Sequence, residues 1–171
     1  EIGERTVARG GTVIIPAFAV GRAQSLLYWL RRLKDSGRLG NVPVFLDSPM
    51  AVDASELLCR HLQDHRVSEH ECRTACGVAT YVRSTENSKA LTANPVPKVI
   101  ISASGMATGG RVLHHLKSYA PDPKNTILFA GFQAAGTHTW RRHSSSRRSA
   151  KSINVLGPCG CDRNCTMAQR I

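Results

Sequence analysis

At 171 residues and 42% apolar, the chain can bury the core of one domain, or of one domain with a tail, but no apolar run approaches the ~20 residues that cross a bilayer. The formal charge of +11 favours polyanionic partners, nucleic acid first. The opening "EIGERTVARGG" has no apolar signal-peptide core, so the six cysteines are expected as reduced thiols in a cytoplasmic protein. It also lacks an initiating Met, as expected of a chain that begins inside a longer protein.

Strand signals fall at Thr12–Ile15, Val42–Leu46, Lys98–Ala103 and Thr126–Ala130. Their apolar residues are continuous rather than alternating, which suits strands covered on both faces of a parallel sheet. Between the first two, Ala23, Leu26, Leu27, Leu30 and Leu33 recur at helical spacing and predict a helix over Arg22–Asp35, with Gly37 as its stop. Further helices are expected over Ala51–Gln63 and Arg111–Tyr119, the latter ending before Pro121. The polar segment Asp64–Pro97 carries short helical stretches around Glu69–Cys76 and Glu86–Leu91. The alternation of strands and helices predicts an α/β domain built on a parallel sheet with flanking helices.

The character changes after Thr137. From Gly136 onward seven basic residues face Asp162 alone, a balance of +6 that leaves +5 for the first 135 residues. This stretch has no clear strand or helix period and reads as an irregular basic C-terminal tail, 138–171, beside a domain of residues 1–137. The abruptness of the change favours a reading-frame change near Thr137 over a divergent C-terminus.

Three loops follow strands: "PAFAVGRAQ", "SASGMATGGR" from Ser102 to Arg111, and "AGFQAAGT" from Ala130 to Thr137. In a parallel sheet all three lie at the carboxyl edge, where ligands bind. Glycines allow close backbone approach and turn N–H groups outward; helix N-termini favour anions, and Arg22 or Arg111 can add a bidentate contact to a phosphate. The hydroxyls of Ser102, Ser104 and Thr108 are further donors. No Gly-Lys-Ser/Thr P-loop occurs, and the run Gly105 to Gly110 has the wrong spacing for a dinucleotide fingerprint, which argues against a nucleotide-dependent enzyme.

Four stretches in order, "RGGTVIIPAFAVGRAQSLLYWL", "PVFLDSPMAVDASEL", "VIISASGMATGGRVLHHL" and "NTILFAGFQAAGT", are together similar to the β-CASP region of metallo-β-lactamase-fold RNA nucleases. The bacterial-type members look closest, judged by "LDSPMA" and "SASGMATGGR", and the resemblance runs from about Arg5 to Thr137. It implies a β-CASP cap inserted in a metallo-β-lactamase domain that holds two zinc ions, with RNA threading between the two and a metal-bound hydroxide attacking a backbone phosphate. The anion of the three loops is then an RNA phosphate, and the binding set is Gly21, Arg22, Ser102, Ser104, Gly105, Gly109, Gly110, Arg111, Gly136 and Thr137. The implied partners are RNA and the metallo-β-lactamase domain, with no membrane.

The family's His-x-His-x-Asp-His and Ser-Ala-His-x-Asp metal motifs are absent, so no catalytic residue, metal ligand or cofactor is assigned to this chain, and alone it is expected to be inactive. The alternative is a stand-alone, non-catalytic RNA- or phosphate-binding module.

Other metal patterns fall short. His61 and His65 are four apart on the expected helix but lack the Glu of a metalloprotease motif. Cys72 and Cys76, with His70 nearby, and Cys159, Cys161 and Cys165 each lack a closed set of four zinc ligands. His114 and His115 read as surface or packing residues. Asp47 and Ser48 could orient a loop near the substrate, or Ser48 or Asp53 could cap the next helix.

Overall fold

The structure is a computed structural model that describes residues 2–131 and, as backbone, 153–156. Its described elements in chain order are α1 (Ile2–Ala8), β1 (Val13–Pro16), α2 (Arg22–Asp35), β2 (Val44–Asp47), α3 (Pro49–Arg60), a 3-10 turn (Leu62–Asp64), α4 (Glu69–Cys76), β3 (Thr80–Tyr81), α5 (Thr85–Ala93), β4 (Val99–Ser102), α6 (Val112–Tyr119), β5 (Thr126–Ala130) and β6 (Ile153–Leu156). All strand pairs are parallel, in the order β3-β2-β4-β1-β5-β6. This is the expected α/β class.

Both faces of the sheet are covered, and the pleat sorts consecutive residues between them. Val13 and Ile15 of β1, with Val44, Leu46, Val99 and Ile101, pack against Ala23, Leu27 and Leu30 of α2 and Val52 of α3. Ile14, Ile100, Ile127 and Phe129 point the other way, against Leu91 of α5 and Val112, Leu116 and Tyr119 of α6. Two apolar layers explain why the strands read as continuous runs.

Local signals set most boundaries. The Ser48 hydroxyl accepts from Ala51 N and caps α3, with Pro49 in the first turn. Asp53 lies inside that helix and pairs with Arg83 at 2.7 Å, so Ser48 is the cap. Ser68 and Glu71 form a capping box at α4. Helix α3 ends at Arg60 rather than Gln63, so His61 and His65 do not share a helical face.

Three elements depart from the sequence reading. Helix α1 is seven residues long, and tertiary contacts tie it down: Thr6 Oγ1 lies 2.6 Å from Thr126 Oγ1. Strand β3 has two residues, too few for a periodic signal. Strand β6 lies within the stretch expected to be irregular, and Ile127 to Ala130 pair with Ile153 to Leu156. The tail therefore contributes an edge strand to the sheet. No helix among the described residues is long and apolar enough to cross a membrane.

Candidate functional site

The strand order switches between β4 and β1, whose connections run to opposite sides of the sheet. The chain leaves β1 through α2 toward β2 on one side, and leaves β4 through α6 toward β5 on the other. A crevice outside the carboxyl ends of such strands is where open α/β sheets bind ligands. Here the two loops touch. Ala17 N donates to Ser102 O at 3.0 Å. Gly105 is buried against the first loop, and a Cβ there would sit 2.9 Å from Phe18 N. Only a glycine permits this approach.

Arg22 opens α2, with Gly21 before it and no side chain capping the helix. The Arg22 guanidinium reaches across to the third loop, where a Cβ on Gly131 would meet Arg22 Cζ at 2.7 Å. One half-buried cation thus connects the loops after β1 and β5, at a helix end whose dipole favours anions. Gly109 faces open space. The Ser104 hydroxyl is buried in the glycine-rich loop with no hydrogen-bond partner.

Two of the expected donors are turned inward. Ser102 Oγ is fully buried and donates to Asp47 O at 3.0 Å. Arg111 Nη1 lies 2.7 Å from Asp47 Oδ1 and 3.1 Å from Val82 O, while Nη2 donates to Arg83 O at 2.5 Å. Its fork is occupied by the protein, which places it as a brace behind the loops. Gly110 turns the chain back toward α6, where Val112 N donates to Ala103 O at 3.1 Å. Gly136 and Thr137 lie outside the described residues.

The hub of this brace is Asp47, at the carboxyl end of β2 and 0% exposed. His115 Nε2 lies 2.6 Å from Asp47 Oδ2, and Ser88 Oγ donates to the same oxygen at 2.5 Å. Thr92 Oγ1 lies 3.1 Å from His115 Nδ1. Burial alone would raise the Asp47 carboxyl; hydrogen bonds from His115, Ser88 and Arg111 outweigh it and hold the pKa below the ordinary aspartate value. His115 is therefore a core residue bound to a carboxylate, while His114 is exposed. Asp47 and His115 are 68 positions apart, so no local sequence signal could join them.

The described residues hold no ligand set that fits the zinc pair implied by the resemblance. Among the described residues, the group of three or more potential donors that converges is Cys59, Cys72 and Cys76, all thiols, with no His or carboxylate. Burial pushes the Cys72 and Cys76 thiols above the ordinary range. His70, which the sequence placed beside these cysteines, is exposed, and Cys59 of α3 takes its place.

The Beta-Casp domain family model matches residues 23–141. Ribonuclease TTHA0252 of Thermus thermophilus is 42% identical over 143 residues, covering 80% of this chain and 32% of the ribonuclease. The RNase J-like protein of Methanocaldococcus jannaschii is 36% identical over 141 residues, covering 80% of this chain and 32% of its own length. The transcription termination factor FttA of Thermococcus kodakarensis is 34% identical over 166 residues, covering 94% of this chain and 25% of the factor. That last similarity continues past Thr137. The chain thus spans a third or less of these curated relatives. With a family match over more than half its length and a doubly covered parallel sheet, this chain belongs to the Beta-Casp domain family.

Proposed function

We propose that this chain is the RNA-holding β-CASP part of a metal-dependent RNA hydrolase, whose zinc ions belong to a metallo-β-lactamase domain outside this sequence. The observation that carries the reading is the meeting of three strand-end loops, with Arg22 lying across Gly131 at the start of α2. A phosphate there would meet the positive end of the α2 dipole and a guanidinium; the Arg22 and Ala23 N–H groups are already bonded to Val20 O and Phe18 O. The names of the relatives, a ribonuclease, an RNase J-like protein and a transcription termination factor, support RNA as the polyanion. The proposed contacts are Gly21, Arg22, Ser104, Gly105 and Gly109, with Gly136 and Thr137 completing the third loop. Ser102, Gly110 and Arg111 shape and brace the edge from behind.

In this reading the domain contributes positioning rather than bond cleavage. Loops locked against one another hold a phosphate in one place without reorganising at the moment of reaction. Asp47 fixes the loop after β4 through Arg111, and fixes α6 through His115.

The experiment is direct. The purified chain should bind single-stranded RNA with an affinity that falls as salt rises, because phosphate contacts release counterions. It should leave the RNA intact in Zn²⁺ or Mn²⁺. Chelator-sensitive cleavage by the chain would overturn the assignment of the chemistry to another domain. Absence of salt-sensitive RNA binding would remove the holding role.

A further inference from the structure

Away from the strand-end loops, three cysteines from two helices converge. Cys59 lies in the last turn of α3, and Cys72 and Cys76 lie one turn apart on α4, so they share a face. Cys59 Sγ is 3.1 Å from both Cys72 Sγ and Cys76 Sγ. All three sulfurs lie within 4.8 Å of one another. Cys72 is buried, and the other two are half-buried, so a small ion can reach the group from solvent. A cysteine that only fills space packs its sulfur against aliphatic carbon. Here the Cys59 sulfur lies between the other two. The buried Tyr81 hydroxyl lies beside Cys76 and Ser55. A cluster of sulfurs is thus assembled where α3 packs on α4.

We propose that Cys59, Cys72 and Cys76 form a binding site for one thiophilic d10 cation, Zn²⁺, with three protein thiolates and a fourth position open to solvent. The geometry is close to that needed. Thiolates held tetrahedrally at the usual Zn–S distance stand about 3.8 Å apart, so the sulfurs need to spread by about 0.7 Å. Soft sulfur donors select such ions over Mg²⁺ or Ca²⁺. On binding, three S–H bonds are lost and three S–metal bonds form. Three protons go to solvent, and no redox change is involved. Since the ligands come from α3 and α4, the ion would clamp these helices together. The site is separate from the zinc pair implied for the absent domain, because none of its donors is a histidine or carboxylate.

Cd²⁺ serves as a spectroscopic probe for the same ligands. The reduced full chain, titrated with Cd²⁺ in the absence of oxygen, should develop thiolate-to-cadmium ultraviolet absorption that saturates at one equivalent, and Zn²⁺ should displace it or raise the melting temperature. Cys59→Ser and Cys76→Ser should each weaken binding more than tenfold. The triple change of Cys159, Cys161 and Cys165 to Ser should bind like the parent. Circular dichroism checks that each variant is folded. If the Cys59 and Cys76 variants fail to fold, the triple variant alone decides, by keeping or losing its one-equivalent absorption. No thiolate absorption, binding unchanged by Cys59→Ser, or loss of all binding in the tail variant would each overturn the proposal.

Discussion

Arg22 and Arg111 occupy matching positions, each at the start of a helix that follows a strand-end loop. Arg111 spends its fork on Asp47 and two backbone carbonyls. Among the described residues no carboxylate pairs with Arg22, which lies over a glycine of the next loop. The difference comes from the strand ends beneath them. Strand β2 ends in an aspartate with no exposure, and a buried carboxylate must be satisfied, so it draws in Arg111, His115 and Ser88. One arginine stabilises the edge, and the other is the one the proposed function assigns to an external anion.

The largest test of this division removes the buried carboxylate. Asp47→Ala leaves His115 and Ser88 without their acceptor and Arg111 without its ion pair. Breaking such a pair costs about 3–5 kcal/mol, and urea unfolding should show a loss of that order. A loss under 1 kcal/mol would mean that water replaces the carboxylate and that the brace is not structural.

The same carboxylate predicts a pH dependence. Its folded-state pKa lies below the unfolded value, so its contribution is fully present above about pH 4 and is lost as pH falls through the folded pKa. Asp47→Asn should therefore differ from wild type in stability at neutral pH, and the two curves should approach each other in acid. Parallel curves down to the lowest pH would show that the pKa is not depressed.

A medium-sized effect should follow from forcing the loops apart. In Gly105→Ala the added methyl meets Phe18 N at 2.9 Å and Ala17 C at 3.2 Å, both backbone atoms that cannot swing aside. Overpacking of this kind costs about 1–3 kcal/mol. Thermal melting and RNA affinity should both fall. A drop in melting temperature with unchanged RNA affinity would separate the loop contact from binding.

Much of the frame was legible because it is written locally. The helix over Arg22–Asp35 and the strand over Thr126–Ala130 stand where the sequence pattern put them, since Gly21 and Gly37 bracket the one and a continuous apolar run marks the other. What escaped depends on long-range contact. Helix α1 is too short to stand alone and borrows stability from Thr126. The Asp47 hub joins residues 41 to 68 positions apart. Arg22 and Arg111 looked equivalent because sequence shows a helix start but not which carboxylate lies beneath it. Cys72 and Cys76 were visible as a helical pair, yet Cys59 joins them only through packing of α3 on α4.

The smallest expected change is at Arg22, and it tests the central claim most directly. RNA affinity should be measured for wild type and Arg22→Ala at low and at high salt, with melting curves alongside. The account predicts a loss of up to about 1.5 kcal/mol at low salt, the lower end for a charge-assisted contact, because the site is open to water. The salt slope should fall by about one, and the melting curve should be nearly unchanged. Equal affinity at low salt would contradict the account: Arg22 would then only pack the third loop against α2, and the phosphate would have to be held by the glycine-rich loop alone.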